Sequence, residues 1–153
     1  MTIQQLVATF RNSTKTKMLI VGPGASGKDY LFWKLVEEFG LKPTLSNTTR
    51  PKRDEETQGK EYNFIDYITF QHMILRKEFW QWKVFNVKED ARDSWYYGTT
   101  WKSWNNDELF IVTPPAIKED ITPEEREKCY IVYMDMPEPI RLERLSKRQD
   151  ADS

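Results

Sequence analysis

The chain has 153 residues, 39% of them hydrophobic and 31% charged, with a formal net charge of -1. That length allows one domain with a sizeable core, and the near-neutral balance gives no ground for a nucleic-acid partner while leaving room for a local basic pocket. Cys129, the single cysteine, excludes an intramolecular disulfide, and the absence of any long apolar stretch argues against a membrane span or signal peptide, so a cytoplasmic setting is expected.

In chain order, Ile3, Leu6, Val7 and Phe10 recur at helical spacing, for a short helix that packs on the domain or stands as an appendage. Met18 to Val21 is apolar throughout, which predicts a central strand of a parallel sheet covered on both faces. A loop follows, Gly22-Pro23-Gly24-Ala25-Ser26-Gly27, and then Lys28. Its glycines allow a tight turn and close backbone approach to an anion, and the next helix start supplies N–H donors. That helix is predicted over Lys28 to Phe39, with Leu31, Leu35 and Val36 inward and Gly40 as its stop.

Leu41 to Ser46 allows a short strand, and Asn47 to Tyr62 is too polar and charged for a core. This second stretch is either a solvated loop or an anion clamp built on Arg50 and Arg53, with Glu56 and Tyr62 facing the ligand. Tyr62 to Phe64 suggests an edge strand, and Thr69 is expected to cap a helix through Arg76. His72, the single histidine, lies in that helix without metal-ligand spacing and reads as structural or exposed. Phe79 to Phe85 predicts a strand, Asn86 to Ser94 a solvated hairpin or loop, and Trp95 to Thr99 a strand or turn. Trp101 to Asp107 is helical or irregular. Glu108 to Thr113 and Cys129 to Met134 are further core strands, with Cys129 a buried thiol at a strand end. Pro114-Pro115 ends the first of these strands, Thr122-Pro-Glu-Glu125 resembles a helix start, and Pro137 to Arg148 predicts a short helix. The order fits an α/β, P-loop NTPase-type three-layer fold with a parallel sheet core.

Three blocks resemble guanylate kinases. Gly22 to Lys28 is a phosphate-loop pattern shared by many NTPases. Ser46-Asn-Thr-Thr-Arg50 with Arg53, Glu56, Gly59, Tyr62 and Phe64 is a more specific match, to that family's monophosphate-binding signature. Glu78-Phe79, Trp82 and Tyr96-Tyr97-Gly98-Thr99 form the third. The resemblance implies one domain over residues 1–153, a small NMP-binding insertion over 41–99, and a shortened lid near 141–153. It implies transfer of the γ-phosphoryl group of ATP to GMP, dGMP or another nucleoside monophosphate, with Mg²⁺. By the same resemblance Ser46, Arg50, Arg53, Tyr62 and Tyr97 hold the acceptor phosphate, Glu56 lies by the acceptor pocket, and Gln81 and Thr99 lie by the base. Gly22 to Asp29 would hold the donor, Lys28 would reach its β and γ phosphates, and Arg144 and Arg148 would grip the donor phosphates as lid-base arginines. Lys28, Arg50, Arg144 and Arg148 are thus the expected catalytic set.

The chain departs from the family pattern at identifiable points. Asp29 replaces the hydroxyl that usually contacts Mg²⁺, and its carboxylate can itself ligate the metal. Gln81 stands where the family has a guanine-reading Glu. No acid follows the strand around Val112-Thr-Pro-Pro115, where the family has an acidic pair. The alternative expectation is a catalytically weak or inactive nucleotide- or protein-binding module of the same fold; a protein partner belongs to that alternative only.

Overall fold

The computed structural model describes residues 2–23 and 26–135. Gly24, Ala25, Arg144 and Arg148, and the helix expected over Pro137 to Arg148, lie outside the described residues. The elements run α1 (Ile3–Arg11), β1 (Lys17–Val21), α2 (Lys28–Phe39), β2 (Asn47–Thr48), β3 (Asn63–Phe64), α3 (Tyr67–Leu75), β4 (Phe79–Phe85), β5 (Trp95–Thr100), α4 (Trp101–Asn106), β6 (Leu109–Ile111), α5 (Pro114–Glu119), α6 (Pro123–Glu127) and β7 (Cys129–Tyr133). They form an α/β chain of two compact units, one from residues 1–43 with 107–153, the other from 44–106.

The first unit is built on a parallel sheet in the order β6-β1-β7. Leu19 pairs with Phe110 on one side and Ile131 on the other, so β1 is central, as its unbroken apolar run predicts. Met18, Ile20, Leu31, Phe32, Leu35, Leu41 and Leu109 share one core cluster, each side chain contributing about 1.5–3 kcal/mol on burial. Leu6 and Phe10 join that cluster, so α1 packs on the unit. Thr2 and Gln5 close its N-terminus with a reciprocal capping box. The Arg11 guanidinium donates to both carboxylate oxygens of Glu108, at 2.7 and 3.1 Å, while Glu108 also accepts from the Lys42 amide at 2.8 Å.

Gly40 ends α2 at φ +69°, a conformation that glycine adopts without the Cβ penalty. β6 is shorter than the expected Glu108 to Thr113, ending at Ile111, and Pro114 and Pro115 open α5, where a missing N–H costs nothing. The stretch expected only to start a helix at Thr122 therefore carries two short helices, the second closed by a Thr122–Glu125 capping box. Cys129 is buried and its thiol donates to the Glu125 carbonyl; burial pushes its pKa up to about 11, so the thiol stays protonated at neutral pH.

The second unit carries a four-stranded sheet in the order β3-β2-β5-β4. β2 pairs parallel with β3 and antiparallel with β5, and β5 pairs antiparallel with β4. One sheet face packs on α3 through Phe70, which stacks on Phe79 at 4.5 Å and lies 5.4 Å from Tyr96. Gly98 is required beneath this cluster, since a Cβ there would stand 2.5 Å from the Phe79 ring. Trp104 of α4 is fully buried and stacks nearly parallel on Trp80 at 3.9 Å.

Two local expectations are corrected. Thr69 does not cap α3: the cap is Asp66, whose carboxylate accepts from the Thr69 amide at 2.7 Å, placing the helix start two residues earlier than Thr69. Leu41 to Ser46 forms no strand beyond an isolated bridge between Pro43 and Leu109; the ladder begins at Asn47, where β5 offers a partner. The Asn86 to Ser94 connection holds a single 3₁₀ turn, Ala91–Asp93, whose cap Asp90 also pairs with Arg92 at 2.8 Å.

Candidate functional site

Within the first unit, β1 delivers the chain to the glycine-containing loop and α2 leads it away. Gly22 lies where a Cβ would stand 2.8 Å from the Met134 Cβ and 2.9 Å from its carbonyl oxygen. Only a glycine lets the loop leave β1 against the end of β7. Gly27 adopts φ +91° and serves as the N-terminal cap residue of α2 without a side-chain bond. The Lys28 ammonium folds back to donate to the Gly22 carbonyl at 3.0 Å, so it spans the loop mouth. Ser26 is buried and its hydroxyl has no hydrogen-bond partner, an unsatisfied donor inside the loop.

Asp29 occupies the exposed first turn of α2, where its charge complements the positive end of the helix. Among the described residues no three His, Cys, Asp or Glu side chains gather as a metal site. One carboxylate at the loop still suits Mg²⁺, which binds through one or two carboxylates plus substrate phosphates. The loop thus fits an anion with its counter-metal: a buried idle hydroxyl, a lysine across the mouth, helix N–H groups, and Asp29 at the rim.

Within the second unit, cross-strand register sorts the side chains. Gln81 stands opposite Thr99, Lys83 opposite Tyr97, and Asn47 opposite Gly98. Alternation therefore sends Gln81, Lys83, Tyr97 and Thr99 to the face away from α3. The Phe85–Tyr97 ring contact at 5.4 Å on that face, and the Trp82–Tyr96 contact on the other, bear out the sorting. Ser46 joins the first face by a 3.0 Å hydroxyl–hydroxyl bond to Thr99. The Gln81 Oε1 atom is buried and has no partner, leaving an acceptor at the end of this row.

Arg50 is the most organised cation of the unit. It is 3% exposed, and its two terminal nitrogens donate to the two oxygens of Glu56 at 2.9 and 2.8 Å. Glu56 also accepts from the Arg53 amide at 2.8 Å, so one carboxylate positions both arginines. The Arg50 amide donates to Thr48 Oγ1, whose own hydrogen goes to the Tyr96 carbonyl, tying the clamp to the sheet. The guanidinium lies over Tyr62 at 5.5 Å and Phe64 at 5.7 Å, and Tyr62 meets Tyr97 edge-on at 5.7 Å.

Burial works against the Arg50 charge, but the Glu56 carboxylate and the Tyr97 hydroxyl outweigh it and raise its pKa. The hydrogen bonds from Arg50 hold Glu56 below the ordinary glutamate value of 4.5, assisted by the Arg53 amide and opposed by burial. Both stay ionised at neutral pH.

Arg50, Glu56, Tyr62 and Tyr97 are brought into one network that Arg53 enters through its backbone, while Ser46 and Thr99 form a separate pair with Gln81 in register opposite Thr99. Glu56, expected by the acceptor pocket, is the counter-ion of Arg50. Thr48 and Lys83 were not singled out from the sequence. The alternation of Gln81, Lys83 and Phe85 along β4 was the available signal for Lys83. The support given by Thr48 depends on a bond to Tyr96, 48 residues away.

The guanylate kinase family model matches residues 14–104, more than half of the 153-residue chain. Guanylate kinase from Hyphomonas neptunium is 40% identical over 74 residues, covering 47% of this chain and 34% of that protein. Guanylate kinase from Dechloromonas aromatica is 34% identical over 92 residues, covering 60% of this chain and 42% of that protein. The chain thus spans well under half the length of these relatives. Among solved structures, guanylate kinase from Anaplasma phagocytophilum superposes with a TM-score of 0.51 at 20% identity, covering 78% of this chain and 58% of that one, a likeness of fold. The family model covers β1, the glycine-containing loop after it and the whole arginine–tyrosine network, and on that match the chain belongs to the guanylate kinase family.

Proposed function

We propose that the protein is an ATP-dependent nucleoside monophosphate kinase that forms GDP or dGDP and ADP from GMP or dGMP. The buried Arg50–Glu56 pair beside Tyr62 and Tyr97 carries the reading, because it is a prebuilt, rigid receptor for a phosphate oxyanion. A generic NTPase has no need of such a second anion clamp. Arg50, Arg53, Tyr62 and Tyr97 bind the acceptor phosphate and screen its repulsion with the donor. Ser46 joins them at that phosphate, and Thr99 and Gln81 orient the base. The loop from Gly22 to Asp29 binds the donor phosphates, with the Lys28 ammonium exchanging the Gly22 carbonyl for phosphate oxygens and the Ser26 hydroxyl gaining an acceptor.

Mg²⁺, held by Asp29 and the donor phosphates, supplies charge neutralisation. The chain contributes no nucleophile, since an acceptor phosphate oxygen attacks directly; its work is alignment and electrostatic stabilisation. Arg144 and Arg148 complete the proposed donor grip. Purified protein with ATP, Mg²⁺ and each of the common NMPs and dNMPs in turn is expected to yield NDP and ADP. Lys28→Ala should lower the rate by about a hundredfold or more, as loss of a transition-state charge contact does. Product formation no greater than in that variant, for every acceptor, refutes the enzyme reading.

One observation favours a second reading. β6 runs into Thr113 and two prolines that start α5, with no acid at that strand end. A family member that binds a monophosphate without transferring phosphate would have that character. Calorimetry separates the two: GMP binding without Mg·ATP binding supports the module, and binding of both supports the kinase.

A further inference from the structure

β4 changes face near its start, and the change decides which side chain meets the base. Phe79 pairs with Thr100 and Gln81 with Thr99, so β4 takes two steps where β5 takes one, and Trp80 is the extra residue of a bulge. Without the bulge, Phe79 and Gln81 would share a face, and Gln81 would point into the core that Phe79 forms with Phe70 and Tyr96. With it, Gln81 stands on the opposite face, beside Thr99. Trp80 stacks on the buried Trp104 of α4 at 3.9 Å, and the Trp101 amide at the start of α4 donates to the Glu78 carbonyl at 3.0 Å. Helix α4 thus holds the bulge in place.

The side chain delivered in this way is a neutral amide. Its Oε1 atom is enclosed and accepts no hydrogen bond among the described residues. An enclosed acceptor without a donor is destabilising, and a ligand N–H relieves it. The neighbouring hydroxyls of Ser46 and Thr99 are bonded to each other at 3.0 Å. Tyr97 of the phosphate clamp lies two residues from Thr99 along β5, about 7 Å at the rise of a strand, a distance on the scale of a nucleoside. With a phosphate on the clamp, the N–H that reaches Gln81 is one on the base.

An amide limits what can be read. It offers one acceptor oxygen and one NH₂ donor. Guanine lines up O6, an acceptor, then N1–H, a donor, then the 2-amino group, a second donor. Gln81 can take N1–H on Oε1 and O6 on Nε2 together. In neither orientation of the amide can it take N1–H and the 2-amino group together, as the two oxygens of a carboxylate could. We propose that Gln81 makes the acceptor pocket read the N1–H/O6 edge shared by all 6-oxopurines and leave the 2-amino group unread, so that hypoxanthine and guanine monophosphates are equivalent ligands. This deepens the acceptor-site reading above and rests on it.

The test is calorimetric titration of the intact chain with GMP and IMP, which differ only in the 2-amino group, and with guanosine, which lacks the phosphate. Wild type should bind GMP and IMP within about threefold of each other, less than one hydrogen bond is worth, and both far more tightly than guanosine. Gln81→Glu, whose second oxygen accepts from the 2-amino group, should shift the GMP-to-IMP affinity ratio roughly tenfold or more toward GMP, as a charge-assisted hydrogen bond does. The ratio cancels any loss of stability or affinity common to both ligands. A wild-type ratio outside the threefold range overturns the proposal, as does a Gln81→Glu ratio that stays at the wild-type value. A wild type that binds neither monophosphate better than guanosine removes the acceptor-site reading itself, and this inference with it.

Discussion

Glu56 determines what the two arginines can do. Its carboxylate takes both terminal nitrogens of the buried Arg50 guanidinium, and it also fixes the Arg53 backbone. Glu56→Gln would replace the charged partner of a buried cation with a neutral amide. Removing one partner of a buried pair costs about 3–5 kcal/mol, and the amide should recover a small part of that. Thermal unfolding of the variant is expected to show a loss of about 3 kcal/mol together with weakened GMP binding. The pH dependence has a definite sign. The folded pKa of Glu56 lies below 4.5, so its contribution is complete above that value and is lost as pH falls through the lower folded value. Wild-type stability should therefore decline on acidification below pH 4.5, and Glu56→Gln should flatten that decline. A variant with the same acid limb as wild type would contradict this assignment.

At the scale of the element, the sheet of the second unit depends on one missing side chain. Gly98 lets Phe79 cross under β5, and any Cβ there meets the ring at 2.5 Å. Gly98→Ala should destabilise the protein by about 1–3 kcal/mol, measured by denaturant unfolding, because a packed aromatic cluster cannot absorb the added volume without shifting. β1, the loop and α2 were legible in the sequence because their signals are local: an apolar run, glycines, then helical spacing. The α3 start was misjudged because Asp66 and Thr69 are both acceptable caps, and the backbone course before Tyr67 decides between them. β2 was not legible at all. Its two residues are held by strands that lie far away in sequence, Asn47 against Gly98 and Asn63. The Arg50–Glu56 bond belongs to the same class of hidden fact: a polar loop reads alike whether its charges meet each other or water.

For the molecule as a whole, each unit has a core of its own. The first is centred on Met18, Ile20, Leu35 and Leu109, and the second on Phe70, Phe79 and Tyr96. Phe70→Ala should cost about 3–5 kcal/mol and act on the second unit. Hydrogen exchange is the appropriate readout: amides of β2, β4 and β5 should lose protection while the β6-β1-β7 ladder keeps most of its own. Uniform loss across both sheets would show that the units unfold as one. Every strand of the two sheets except β2 was foreseeable from the sequence. The order of the strands was not, since it is set by register between segments that carry no mark of their partners.

The Trp80–Trp104 stack has an optical consequence. Two indoles 3.9 Å apart with planes 9° from parallel lie close enough for their excited states to couple. Such a pair contributes a paired positive and negative band to the far-ultraviolet circular dichroism, which vanishes once the rings separate. The second unit therefore carries its own colourless reporter, readable without a label, whose signal follows the packing of α4 on β4.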